Sequence, residues 1–413
     1  MACLPALSLE ACCRRSHGSG YKALRACRVD RDRARDLLAG SLPAGAPRAF
    51  AIDASTWPKC DAETSPGRGF YYSASRHSAG QPIVAGWCYQ VAVGLDWAHD
   101  SWTRPVDQVR IQPGQDPVAA TVEQIKALAR RLPPGPDPVF ALDAGYDPAA
   151  LTRELANARV PAAVVVRVRD DRVFHADPAP NPGANGRPRR HGARRACRQP
   201  ETWPSPDRQT AFHDASYGLV DARAWDALHP KLGRRGRWAD WDKPPIIKAT
   251  IVKADVQHLP KGASGGAKKT LWLWIGAPDP DRVDLETCVK AYLHRFDIEH
   301  TFRFMKNTLG WTTPKTATPE QADTWTWLTL AAYTQLRLAR PLVADRRLPW
   351  ERPLPPGKLT PGRVRRGFGQ LARQLGTPAR PPKPSRAGPG RPKGSRSGPR
   401  TRHPAVKTTP TKV

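Results

Sequence analysis

Residues Tyr292–Lys306 read YLHRFDIEHTFRFMK, and the spacing within this stretch decides how the remainder of the chain is understood. Tyr292, Arg295, Glu299 and Lys306 are separated by two, three and six residues. At about 100° per residue on a helix they fall within a wedge of roughly 60°, a single polar stripe. Ile298, Phe302, Met305 and Leu309 form an apolar stripe beside it, which seats the helix on a core. Glu299 therefore lies at the edge of a buried face, where a carboxylate is costly unless a cation holds it. An ordinary i,i+4 ion pair between Arg295 and Glu299 on a surface helix accounts for those two residues alone.

The full Tyr-x2-Arg-x3-Glu-x6-Lys pattern resembles the signature around the third catalytic acid of bacterial insertion-sequence transposases of the DDE type. The resemblance implies a ribonuclease-H-like core, in which two aspartates upstream sit on strands of one sheet. Two stretches meet that demand. Arg48–Ser55, RAFAIDAS, carries Asp53 near the end of an apolar run, and Pro138–Gly145, PVFALDAG, repeats the pattern with Asp143. Each carboxylate stands on an otherwise apolar strand and is followed by small residues that allow another group to approach closely. Singly, such an aspartate also suits a turn or a helix cap; it is the pair followed by the Glu299 helix that points to a site.

Composition sets the outer bounds. The 413 residues carry a net charge of +29 and an isoelectric point near 10.4. That balance calls for a polyanionic partner, and nucleic acid is the economical one, because the sequence shows neither a basic amphipathic membrane helix nor a lipid anchor. No apolar run approaches the ~20 residues of a membrane span, and the N-terminus lacks the apolar core of a signal peptide. A cytoplasmic, nucleoid-associated protein with no membrane partner is expected. The eight cysteines are scattered, without a Cys-x2-Cys pair or a paired Cys/His cluster, so free thiols are expected rather than zinc or disulfides.

Taken in order, the chain divides into three parts. Residues 1–47 form a short N-terminal helical region, with one basic amphipathic helix at Gly20–Leu38; related transposases carry a longer DNA-binding region there, so this end is expected to be either shortened or misassigned at its start. Residues 48–343 form the catalytic domain. Within it the Asp53 strand, runs at Phe70–Ser75 and Ile83–Leu95, a helix at Val118–Leu132, the Asp143 strand, a helix at Pro148–Ala158 and a strand at Ala162–Arg169 give an α/β (α+β) fold, a mixed sheet flanked by helices.

The 155 residues between Asp143 and Glu299 exceed what a bare core needs. The resemblance implies a mostly β insertion there, at about 170–285, and strand-like runs at Pro245–Val256 and Thr270–Ala277 agree. A proline-rich basic segment precedes them, and its Arg189, Arg190, Arg194 and Arg195 are either a solvated loop or phosphate contacts. Thr318–Val343 reads as a second long helix whose Trp325, Leu328, Ala332 and Leu336 pack into the core. Residues 344–413 form a Pro/Gly-rich basic tail. From Lys358 onward it holds fifteen Lys/Arg and no acid, and is expected to be disordered. Within it Pro389–Gly394, with Arg391 and Lys393, resembles an AT-hook that fits the A·T minor groove, though a generic phosphate-binding tail suits the same composition.

What the resemblance implies for function is a DNA transposase that cleaves the ends of an insertion sequence and joins the 3′-hydroxyls to target DNA. Its chemistry is two-metal phosphoryl transfer, with two Mg²⁺ ions about 3.5–4 Å apart, Mn²⁺ being the natural substitute. Asp53 would bridge both ions, and Asp143 and Glu299 would each complete one side. Arg295 and Lys306 would grip phosphates and Tyr292 would position a strand. The partners implied are element ends and target DNA, with a homodimer in the synaptic complex. A plain metal-dependent nuclease and a non-catalytic DNA-binding remnant remain the alternatives.

Overall fold

The computed structural model describes residues 4–7, 17–72, 82–98, 100, 102–180, 189–260, 269–355, 357–376, 390, 392–396 and 398–406. In chain order its elements are helices α1 (Leu4–Leu7), α2 (His17–Ala26) and α3 (Arg31–Gly40), then strands β1 (Ala49–Pro58), β2 (Gly69–Tyr72), β3 (Ile83–Gly94) and β4 (Arg104–Ile111). Helix α4 (Pro117–Ala129), β5 (Val139–Leu142), α5 (Pro148–Asn157) and β6 (Ala163–Val168) follow. The segment after β6 contributes β7 (Val173–His175), β8 (Arg194–Ala196), β9 (Arg208–Asp214), β10 (Gly218–Pro230), β11 (Ala249–Val256) and β12 (Thr270–Gly276). Helices α6 (Leu285–Leu293), α7 (Asp297–Asn307), α8 (Pro319–Ala339) and α9 (Pro361–Leu375) complete the described elements.

The five core strands pair in the order β4-β3-β1-β5-β6, antiparallel across β4-β3-β1 and parallel across β1-β5-β6. This is the mixed, ribonuclease-H-like sheet expected. Strand alternation sends Phe50, Ile52, Phe140, Leu142, Val164 and Val166 to one face, under α4 and α5. Ala49, Ala51, Val139, Ala141, Ala163 and Val165 face the other way, where small residues let α6, α7 and α8 come close.

The third core strand differs from expectation. It is β4, not the Phe70–Ser75 run, of which Gly69–Tyr72 forms only a short edge strand and residues 73–75 lie outside the described residues. β4 is hard to read because Arg104, Asp107 and Gln108 are buried along it and Arg110 is half-buried. Their partners come from elsewhere in sequence: Arg35 of α3 lies 2.7 Å from Asp107, and Arg110 lies 2.9 Å from Asp323 of α8.

Three further departures have local causes. The single helix expected at Gly20–Leu38 is two, because Asp30 caps α3 by accepting from the Arg33 backbone N–H at 3.0 Å. On α8 the buried face runs through Trp325, Leu330, Tyr333 and Leu336, leaving Leu328 48% exposed. The tail beyond Lys358 is not uniformly unstructured: α9 packs on α8, burying Leu359 and Val364. Net charge concealed the helical period of Val364, Phe368 and Leu371 and the acids that neutralise the helix, Arg363 pairing with Asp345 at 2.8 Å and Arg366 with Glu351 at 2.7 Å.

The β segment is not a separate body. β12 pairs antiparallel with β6, from Trp272 opposite Val168 to Gly276 opposite Val164, and β11, β10 and β9 follow outward, so the insertion extends the core sheet. Gly276 is required at that seam, since a Cβ there would sit 1.9 Å from Thr152 Oγ1 on α5. The Trp274 indole N–H donates to that same hydroxyl at 2.9 Å.

Candidate active site

β1 and β5 are parallel neighbours with Ala51 opposite Ala141. Two residues further along each strand direction come Asp53 and Asp143, at the same level and, by the two-residue period, on the face covered by α6 and α7. Asp53 is still within β1, and its side chain is 17% exposed; Asp143 follows the last residue of β5, with its side chain 52% exposed. The Asp53 carboxylate accepts from the Ala54 backbone N–H at 2.7 Å.

Arg295 ties the two together. One terminal nitrogen lies 3.4 Å from Asp53 Oδ2 and the other 3.5 Å from Asp143 Oδ1. Tyr292 is buried behind it, with the guanidinium 5.9 Å from the ring centre. Burial works against the Arg295 charge, but Tyr292, Asp143, Asp53 and Glu299 together raise its proton affinity, so it remains a cation. The Asp53 carboxyl is pushed up to about 6, mainly by burial and further by the negative charges of Glu299 and Asp143, against the pull of Arg295 and the Ala54 N–H.

Glu299 lies in the first turn of α7, near enough to be felt by Asp53, Arg295 and Lys306. Lys306 sits half-buried at the other end of α7, its ammonium 5.9 Å from the centre of the Trp311 ring. Burial lowers its proton affinity and Glu299 partly restores it. Asp297, the other acid on α7, turns away and meets His294 Nδ1 at 3.3 Å.

The polar stripe does not lie on one continuous α-helix. A 3-10 turn, His294–Phe296, separates α6 from α7, and Arg295 projects from that turn. The buried stripe holds for Ile298, Phe302 and Met305, whereas Leu309 is only partly buried.

The donor set is of the kind a hard divalent cation takes, carboxylate oxygens offered by Asp53, Asp143 and Glu299 from three elements. Among the described residues no three His, Cys, Asp or Glu side chains are drawn together closely enough to hold an ion as they stand. The Arg295 guanidinium bridges Asp53 and Asp143 instead.

The residues read as DNA contacts are dispersed. Arg190 donates to the Pro244 carbonyl at 2.6 Å and Arg195 to the Thr202 carbonyl at 2.8 Å, so both brace the insertion. Arg194 donates to Gln199, and Arg189 and Lys393 are exposed. Arg391 lies outside the described residues. Cys27, Cys60, Cys88, Cys197 and Cys288 are free thiols.

Two parts of the site escaped the sequence reading. Tyr146 closes the turn after Asp143, its backbone N–H donating to the Asp143 carbonyl at 3.1 Å and its hydroxyl to Gln90 Oε1 at 2.9 Å. Burial, with Asp53, Cys88 and Asp143 nearby, raises its phenol well above the ordinary range. Its place three residues after Asp143 was the available signal. The other is His294, enclosed by Asp214 and Asp297.

Among known families, the model described as DDE superfamily endonuclease matches residues 4–230, a span that contains Asp53 and Asp143 and stops short of Glu299. Of solved structures, the chain is similar to a piggyBac transposase synaptic complex with hairpin DNA, at 13% identity and a TM-score of 0.38, over 90% of this chain and 67% of that one. Comparison with curated protein sequences gives no match. No helix among the described residues is long and apolar enough to cross a membrane.

Proposed function

The chain belongs to the DDE superfamily endonucleases, and we propose that it is an insertion-sequence transposase, cutting the ends of a mobile element and joining their 3′-hydroxyls to target DNA. The observation that carries this reading is the placement of Asp53 and Asp143 at one level on adjacent parallel strands, with Arg295, four residues before Glu299, reaching both.

Asp53, Asp143 and Glu299 would hold two Mg²⁺ ions, or Mn²⁺ in their place, and Asp53, the most central of the three, would be shared. When bound, such a pair supplies an activated oxygen nucleophile and neutralises the leaving oxygen of an in-line displacement. The protein's own groups do the rest. Arg295 neutralises the carboxylates until they are needed as ligands, and is then free to take a DNA phosphate oxygen, the bidentate acceptor its fork fits best. Tyr292 holds the guanidinium in place from behind. Lys306 offers a second cation on the Glu299 side, held in a half-buried setting where a phosphate contact is strengthened.

The net charge of +29 supplies the sequence-independent part of DNA binding, through the exposed Arg189, Lys393 and the remaining tail cations. Two copies acting on paired element ends, in the cytoplasm at the nucleoid, complete the reading. The test uses labelled DNA with the inverted repeats flanking the gene, incubated with the full chain and Mg²⁺. Strand-joined product supports transposition; cleavage without joining reduces the protein to a nuclease, and binding alone to a DNA-bound remnant.

A further inference from the structure

The 3-10 turn that carries Arg295 is held from outside its own helix. In an uninterrupted α-helix the Leu293 carbonyl would accept from the Asp297 N–H. Here the Tyr217 hydroxyl donates to that carbonyl at 3.0 Å, and the Asp297 N–H turns to the carbonyl of His294. Three residues at about 120° instead of 100° rotate α7 by roughly 60° against α6, and so set where Glu299 points relative to Tyr292.

His294 fixes the same turn. Its ring is 6% exposed, with Nε2 2.9 Å from Asp214 Oδ2 and Nδ1 3.3 Å from Asp297 Oδ2. Asp214 is itself 5% exposed, and its other oxygen accepts from the backbone N–H groups of Ser216 and Tyr217 at 2.8 and 3.2 Å. Trp97 closes the remaining side, with ring centres 5.6 Å apart. Asp214 and Tyr217 belong to the tight β9–β10 turn of the insertion, whereas His294 and Leu293 belong to the junction that aims Arg295. A surface ion pair would leave the junction free to move, but the His294–Asp214 contact is buried and short, and with the Tyr217 contact it is anchored on a hairpin that is part of the sheet.

We propose that His294 is a positioning residue: clamped by the β9–β10 turn through Asp214, it holds the 3-10 junction that directs Arg295 and Glu299 to the Asp53–Asp143 pair, and makes the geometry of the site depend on the insertion. This rests on the reading of the site given above. It assigns the insertion a role besides phosphate contact, since a shift of its β9–β10 turn on binding DNA is delivered to the residue bridging the two aspartates.

The experiment compares the full-length protein with His294→Asn, His294→Gln, Asp214→Asn and Tyr217→Phe. Three quantities are measured: the single-turnover cleavage rate at saturating DNA with Mg²⁺, the DNA dissociation constant without metal, and the melting temperature. A Gln amide can reach Asp214 as Nε2 does, whereas an Asn amide reaches only as far as Nδ1. His294→Asn and Asp214→Asn should slow cleavage by roughly ten- to a hundredfold while the dissociation constant changes by less than about threefold, the pattern of misaimed groups rather than weakened binding. His294→Gln should recover most of the rate, and Tyr217→Phe, which removes one hydroxyl, should fall in between. Cleavage at the wild-type rate in a folded His294→Asn protein overturns the proposal, as does an equal loss in Asn and Gln variants accompanied by weakened DNA binding. Absence of cleavage in the wild type would instead overturn the reading of the site itself.

Discussion

Arg295 Nη1 stands 3.4 Å from Asp53 Oδ2, an ion pair between a 3-10 turn and the middle of a sheet strand 242 residues away in sequence. The cation nearest the most buried carboxylate of the site is therefore supplied by the protein. On the proposed reading, Asp53 would exchange this partner for a metal ion when the site is loaded, and the consequences are measurable.

Glu299→Gln is expected to keep the fold and to keep or tighten DNA binding, because it is nearly isosteric and removes a negative charge. Mg²⁺-dependent cleavage should fall by several orders of magnitude, since an amide is a poor substitute for a ligand carboxylate. Asp297→Asn should stay within a few-fold of wild type, because Asp297 faces His294 at 3.3 Å and an amide oxygen still accepts there. A dead Asp297→Asn beside an active Glu299→Gln in the same cleavage assay would show that the wrong acid has been assigned.

Asp53→Asn should abolish cleavage and yet raise the melting temperature near neutral pH. Burial pushes the Asp53 carboxyl up to about 6, so at pH 7 the native state carries a charge that it disfavours. Removing it should yield on the order of 1–3 kcal/mol, a figure already net of the Arg295 contact. A lower melting temperature at pH 7 would mean that the Arg295 pair outweighs burial.

His294 gives the fold a dependence on alkaline pH. Burial disfavours the charged ring, but hydrogen bonds to Asp214 and then Asp297 raise it to about 9, while the Tyr217 phenol nearby stays protonated, pushed to about 12. An unfolded histidine titrates near 6.5, so the stabilisation is complete below that value and is lost as pH rises through 9. Denaturant melts at pH 6 and pH 9.5 should differ by about 2–3 kcal/mol more in the wild type than in His294→Gln. Equal slopes in the two proteins would contradict it.

Tyr146→Phe removes the hydroxyl that holds the Asp143 turn to Gln90 and should lower metal affinity by roughly tenfold, as removing an outer support of a ligand does. Cleavage should drop at limiting Mg²⁺ and recover as Mg²⁺ is raised. A loss that no metal concentration restores would assign Tyr146 a direct part in the chemistry.

Two truncations separate the roles of the tail. Ending the chain at Gly376 leaves α9 on α8; it should weaken DNA binding alike for all sequences and reduce the log–log salt slope by about 0.9 for each phosphate that the tail no longer neutralises. A loss confined to A·T-rich DNA would favour the AT-hook around Arg391. Ending the chain before Lys358 removes α9, exposes the faces now covered by Leu359 and Val364, and should lower the melting temperature as well.

What could be read in the sequence was whatever rests on local periodicity. Asp53 and Asp143 were visible because their strands are apolar on both faces, and the two-residue period then fixes their common side. β4 was not, because the partners that make Asp107 and Arg110 tolerable in a sheet come from α3 and α8. The break at His294–Phe296 was also hidden: nothing in YLHRFDIEHTFRFMK interrupts a helix, and the Tyr217 hydroxyl that takes the Leu293 carbonyl lies 76 residues upstream. The tail misled for the opposite reason, since charge totals conceal the period of Val364, Phe368 and Leu371.

The pairing of β12 with β6 has a consequence for solubility. β6 reads AVVVRV, and every residue but Arg167 is buried. Without the insertion it would be a bare edge of six strand residues rich in valine, the kind of template on which a second chain adds and aggregates. The outer strands are more polar, so the sheet grows outward until it reaches an edge that water tolerates. Excising about 170–285 to make a minimal catalytic core should therefore yield insoluble protein, before any question of activity arises.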